Sequence, residues 1–276
     1  MSMVGKVVDV TVVRPVSRIG DFLWFCLVAI ARIPLAVRQY PTQVGRQLAE
    51  VSLGGGALVV GGGAVGVVFL MSTLTGTEVG LEGHNGLDII GLAPLVGFVS
   101  GYANTRELAP IIVALAFAAR IGCGFTSRLG AMRISEEIDA LEAMSIKPIP
   151  YLVSTRIVAA WIMVIPLFLL GLVGTYITTD LVVTVFFNQS AGTYDHYFTA
   201  FVSLKDVLLA AVKVVVLTTM VTLVHCYYGF FATGGPEGVG RATGHAIRTS
   251  IIGITLLDIA LTLTLWGADQ QVTISG

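Results

Sequence analysis

VSLGGGALVVGGGAVGVVFLMSTLTGT, residues 51–77, separates Glu50 from Glu78 and holds 27 residues with no formal charge. An α-helix rises 1.5 Å per residue, so crossing about 30 Å of hydrocarbon takes roughly 20 apolar residues. This stretch is long enough on its own. Three others join it: 23 charge-free residues between Arg156 and Asp180, 23 more between Lys213 and Glu237, and Arg248 to Asp269, where Asp258 is the only interruption. They predict spans over about 52–76, 154–179, 208–231 and 248–267. The 31 residues between Asp88 and Arg120 are broken only by Arg106 and Glu107. They would run about 46 Å as one helix, too long for one straight crossing and too short for two with a turn. We read one tilted or bent span, with Pro94 and Pro110 as bending points. Pro110 cannot donate to the carbonyl of Arg106, which leaves a backbone acceptor beside two charged side chains.

Composition agrees with five spans. Of 276 residues, 55% are hydrophobic and 12% charged, with mean hydropathy +0.87. A soluble domain carries about a quarter charged residues, so this chain cannot cover a globule of its size with polar surface. The 32 glycines show no three-residue period, which excludes a collagen-like chain, and the apolar content excludes a disordered one. Sixteen basic against seventeen acidic residues give a net charge of −1 and no field for nucleic acid. Cys26, Cys123 and Cys226 are scattered in apolar surroundings and form neither a disulfide framework nor a metal-ligand spacing.

Lys and Arg set the expected orientation. Six lie in 1–50, five in 120–156, and Arg241 and Arg248 in 232–248, whereas 77–88 has none and 180–207 only Lys205. Five spans place all the basic segments on one side, with a cytoplasmic N-terminus and an extracytoplasmic C-terminus. Phe22–Ala31 is ten residues between Asp21 and Arg32, too short to span, and no small-residue cleavage site follows it. An amphipathic helix in the cytoplasmic interface fits, with Trp24 at headgroup depth and Arg14, Arg18, Arg32 and Arg38 on phosphates. The fold class is therefore all-α integral membrane: an interfacial region over 1–50, a transmembrane domain over 51–268 and a tail over 269–276.

Gly61–Gly66 matches G-x-G-x-x-G, but it lies inside an apolar span rather than between a strand and a helix, so it has no nucleotide-binding context. Its glycines allow a neighbouring helix to approach closely, as at Gly62 and Gly66, or present a smooth face for movement. No Walker A sequence, HExxH or G-x-S-x-G is present, so no cofactor or metal is assigned to this chain.

Two constellations are candidates for function. Each charge at the bilayer centre costs about 2.5–3.5 kcal/mol, so Arg106 and Glu107 should face protein or a watery cavity. They line a substrate pathway together with Pro110, or they pair structurally with other helices. Asp258 poses the same question, while Lys213 lies near a span end and is expected to snorkel. The second is 134–144, ISEEIDALEAM. Ser135 is placed to cap a short helix whose first turn holds Glu136 and Glu137. Ile138, Leu141 and Met144 form an apolar stripe, with Asp139 and Glu142 toward the other side, and Pro148 and Pro150 end the element. An acidic helix in a basic loop reads as a docking peg for a cytoplasmic partner, or as a solvated helix.

The chain resembles the MlaE/YrbE permease family, the membrane subunits of bacterial lipid ABC transporters that work with MCE proteins. The resemblance rests on RELAPIIVALAFAARIG (106–122), LGAMRISEEIDALEAMSIKP (129–148), YLVSTR (151–156) and GVGRATGHAIRTS (238–250). With FFNQSAGTYDHYF (186–198), it is most similar to actinobacterial, mycobacterial-type YrbE proteins of Mce systems. The resemblance implies an interfacial N-terminal helix, five transmembrane helices, and a pair of permeases in the bacterial inner membrane. The paired chain is expected to be a paralogous YrbE permease, with a homodimer as the alternative. It also implies two cytoplasmic ATPase subunits carrying ATP and Mg, an MCE assembly and a lipid substrate, with import favoured. Glu136, Glu137, Asp139 and Leu141 correspond to the coupling helix, and Arg106 and Glu107 to the element lining the lipid cavity. The competing classes are an ion-coupled transporter, which would show internal repeats, and a membrane-embedded lipid enzyme, which would need clustered His, Asp or Ser. Neither signature is found.

Overall fold

The computed structural model describes residues 14–53 and 63–267. Helices α1 (Arg14–Ala31), α2 (Ile33–Gln39) and α3 (Pro41–Leu53) precede five long apolar helices. These are α4 (Gly63–Asp88), α5 (Ala93–Ile134), α7 (Ile149–Phe186), α9 (Leu204–Phe230) and α10 (Gly235–Trp266). Short helices α6 (Glu137–Ala143) and α8 (Ala191–Phe201) lie between spans. Among the described residues there is no strand. The all-α membrane architecture with five spanning helices stands.

The helices outrun the charge-free segments that announced them. α4 continues through Glu78 and Glu82 to Asp88, so the loop expected over 77–88 is helical. Those carboxylates are exposed, and no proline interrupts the backbone, so nothing ends the helix there. Likewise α5 carries Arg120, Arg128 and Arg133 on its own surface, and α10 begins at Gly235. The segment 180–207 contains α8, whose Tyr194 donates to Ser100 Oγ at 2.9 Å. Burial raises this phenol to about 12, so it acts there as a neutral donor.

Pro94 sits in the first turn of α5 rather than at a bend. Around Pro110 the chain solves the missing donor differently: a π-helical stretch, Ser100–Leu108, runs up to it.

α4 and α7 meet through small residues. Ala64, Val68, Ser72, Gly76 and Gly80 are the buried positions of α4, each four residues from the last. A Cβ on Gly76 would lie 2.6 Å from the carbonyl oxygen of Thr175, so the backbones themselves are in contact. Thr179 Oγ1 donates to Gly76 O at 3.0 Å across this seam. The expected glycine contact is thus met farther along the helix, while Gly54–Gly56 and Gly61–Gly62 lie outside the described residues.

Large side chains fill the centre: Phe117, Phe125, Leu129, Ile157, Phe168 and Leu217 are fully buried. α1 packs Phe25 against the rings of Tyr227, Phe230 and Phe231 at 5.5, 5.8 and 5.9 Å. Its outer face is apolar, with Leu23, Leu27 and Ile30 exposed and Trp24 at 70%. The helix bends by 45° between Ala31 and Ile33 into α2. The expected N-terminal helix is present as α1 and α2, extending beyond the apolar run Phe22–Ala31, broken at Arg32 and carrying an apolar exposed face.

Candidate functional site

Five charged side chains from three helices converge within the bundle. Arg106 and Glu107 come from the π-helical stretch of α5, Asp206 and Lys213 from α9, and Asp258 from α10. Lys213 is at the centre and has no solvent exposure. Its Nζ lies 2.8 Å from Glu107 Oε2 and 2.7 Å from Asp258 Oδ1. It also donates to Thr262 Oγ1 at 2.7 Å and to Arg106 O at 2.9 Å. Thr262 in turn donates to Glu107 Oε1 at 2.8 Å. The Arg106 carbonyl, four residues before Pro110, therefore accepts from a lysine of another span.

Arg106 closes the other half. Its Nη2 lies 3.2 Å from Asp206 Oδ1, and its guanidinium sits 4.3 Å from the Tyr102 ring centre and 5.4 Å from that of Trp266. Asp206 is held by Trp266 Nε1 at 2.6 Å and Ser203 Oγ at 2.7 Å. Ser203 is the N-cap of α9 and accepts from the Asp206 backbone N–H, so a local helix start fixes the carboxylate. Two cations are matched with three carboxylates, a pairing that offsets most of the cost of burying them. The arrangement is not sealed everywhere: the side chains of Arg106 and Glu107 are 19% and 32% exposed, while Lys213 is closed.

The expectation that Lys213 snorkels is corrected. Its position on the helix points it inward at two carboxylates, and burial without water makes those partners obligatory. Asp206 was not anticipated. Its signal is the Ser203-x-x-Asp206 cap at the start of an apolar run, which also reads as an ordinary loop boundary.

The acidic segment is built differently from its sequence reading. Ser135 does not cap α6. It ends α5, and its hydroxyl donates to Ala131 O at 3.0 Å. The residue before α6 is Glu136, in the left-handed region at φ 58°, and Ser145 just after it stands at φ 61°. α6 is thus a seven-residue helix bracketed by two left-handed non-glycine residues. Ile138 is buried and Leu141 half-buried, but Met144, at 63% exposure, leaves the expected stripe because the helix ends at Ala143. Glu136, Glu137, Asp139 and Glu142 are exposed, and Arg133 Nη1 donates to Asp139 Oδ1 at 2.6 Å. Glu107 and Ile134 are separated by about 40 Å of α5, so the two constellations lie toward opposite ends of one helix.

A model of the family described as Permease MlaE matches residues 56–264. A probable ABC transporter permease protein of Rickettsia typhi is 28% identical, over 95% of this chain and 95% of its own length. A probable ABC transporter permease protein of Rickettsia bellii is 30% identical over 91% and 93%. The Arabidopsis thaliana chloroplastic protein TRIGALACTOSYLDIACYLGLYCEROL 1 is 28% identical over 72% of this chain and 57% of its own length.

Proposed function

Since this chain belongs to the MlaE family of ABC transporter permeases, we propose that it is the membrane subunit of an ATP-driven lipid transporter whose nucleotide chemistry resides on separate ATPase subunits. The single observation that carries the coupling role is α6. It carries four exposed carboxylates just past the end of α5, and left-handed residues bracket it at Glu136 and Ser145. ATP and Mg belong to the ATPases; α6 receives their closing movement and passes it along α5.

The lipid assignment draws on the apolar bundle and on the plant relative, whose name carries a diacylglycerol glycolipid. Arg106 and Glu107 form the pathway-facing part of the charge network, because they keep partial exposure while Lys213 and Asp258 hold them from behind; Pro110, expected beside them on the pathway, is buried. Lipid entering a cavity between two permeases would meet this edge. The remaining parts of the reading rest on the motifs: a paralogous YrbE partner, an MCE assembly, import, a bacterial inner membrane and a cytoplasmic N-terminus. Arg128 and Arg133 at the end of α5 support the last of these.

The test is co-purification. A tagged chain carrying Glu136→Lys and Glu137→Lys should insert normally and lose its P-loop ATPase; an undiminished ATPase band overturns the coupling role.

A further inference from the structure

α3, the last turns of α5, α6 and the start of α7 enclose a cavity of about 530 Å³. Arg46, Arg128 and Arg156 line it, and Glu137 is the one carboxylate among the described lining residues. The described lining residues therefore carry three positive charges against one negative. Arg156 is built into it: the residue is 2% exposed, donates to the carbonyl of Leu152 and lies 5.6 Å from the Phe125 ring centre. Arg46 reaches the cavity from the exposed side. Gln47, only 3% exposed, is also among the lining residues, and its buried amide Oε1 has no hydrogen-bond partner. Apolar side chains, Leu141 among them, complete the lining.

The depth of the cavity matters as much as its charge. α5 ends and α7 begins beside it, so it lies where two spans leave the hydrocarbon. The rings of Tyr40 and Tyr151 pack edge to face at 5.1 Å next to it, in keeping with an interfacial aromatic belt. Guanidinium groups match phosphate oxygens in paired hydrogen bonds, and basic pockets between membrane helices hold phosphate headgroups. A buried acceptor such as Gln47 Oε1 suits the hydroxyl or ammonium that a glycerol or ethanolamine headgroup carries beside its phosphate.

We propose that this cavity binds the phosphate of a glycerophospholipid from the leaflet at this end of the bundle. The site is separate from the charge network and does not depend on the transport reading. Its occupant joins α3 to α6, so lipid composition would set how firmly α6 is held.

The experiment uses the full chain in detergent, with lipid retention read by native mass spectrometry. Dioleoylphosphatidylglycerol, inorganic phosphate and uncharged dioleoylglycerol are added separately. Phosphatidylglycerol should be retained and dioleoylglycerol should not, with inorganic phosphate competing only at much higher concentration. Arg46→Gln should weaken phosphatidylglycerol retention about fivefold; Arg46 is exposed, so the fold stands without it. Gln47→Leu should also weaken it. Arg241→Gln, an exposed arginine lining a different cavity with Tyr228 and His245, should leave it unchanged. Equal loss on Arg241→Gln, no loss on both Arg46→Gln and Gln47→Leu, or saturation by inorganic phosphate as readily as by the lipid would each overturn the proposal.

Discussion

Lys213 donates to the backbone carbonyl of Arg106 at 2.9 Å, four residues before Pro110 and within the π-helical stretch of α5. A buried lysine of one span is thereby tied to the backbone of another. The same ammonium holds Glu107 and Asp258, so one side chain fixes α5, α9 and α10 together.

Replacing that ammonium should be costly. Lys213→Met leaves two carboxylates facing one another without a cation, and a loss of about 3–5 kcal/mol is expected. Adding Glu107→Gln and Asp258→Asn should restore at least half of it, because the penalty belongs to unpaired charge. Denaturant unfolding in detergent micelles measures both; a loss below about 1 kcal/mol for Lys213→Met alone would show that the helices are held by packing.

Arg106→Ala is expected to leave assembly intact and reduce lipid transport at least tenfold, equivalent to about 1.4 kcal/mol in the transport barrier. Reconstituted vesicles carrying the whole transporter provide the readout. Normal transport with a lowered unfolding midpoint would restrict Arg106 to holding Asp206.

Gly76→Leu should separate α4 from α7. Even a Cβ there would meet the Thr175 carbonyl oxygen at 2.6 Å, and backbone cannot step aside as a side chain can. Overpacking of this kind costs about 1–3 kcal/mol. Gly86→Leu, on the same helix with open space around its Cβ position, serves as the control and should change stability by about 1 kcal/mol or less.

At Glu136 the backbone sets the outcome. With φ at 58°, Glu136→Gly should be neutral or stabilising by up to about 1 kcal/mol, while Glu136→Val should destabilise by about 1–3 kcal/mol. Thermal unfolding of the two variants decides; the reverse order would mean that α6 does not need the left-handed entry.

The number of spans was legible because absence of charge over twenty residues has no competing explanation. Their ends were not. Glu78 and Arg128 look like loop residues by composition, yet a helix leaving hydrocarbon keeps its hydrogen bonds in water and stops only where a backbone signal stops it. Arg106 and Glu107 stood out through their insertion cost. The partner that holds them could not be deduced, since 107 residues separate Lys213 from Arg106 and no local pattern encodes that pairing. Ser135 misled for a related reason. Two acids directly after it look like the first turn of a helix it would cap, while the chain turns one residue later through Glu136.

Chain order gives the charge network a consequence for biogenesis. Arg106 and Glu107 are translated about a hundred residues before Asp206 and Lys213 and about 150 before Asp258, so α5 is delivered to the membrane while its counter-charges are still unmade. Until the last two helices emerge, the nascent protein must shelter that pair in the translocon or against an insertase. A ribosome stalled after α7 would leave an intermediate marked for quality control by the same side chains that hold the finished bundle together.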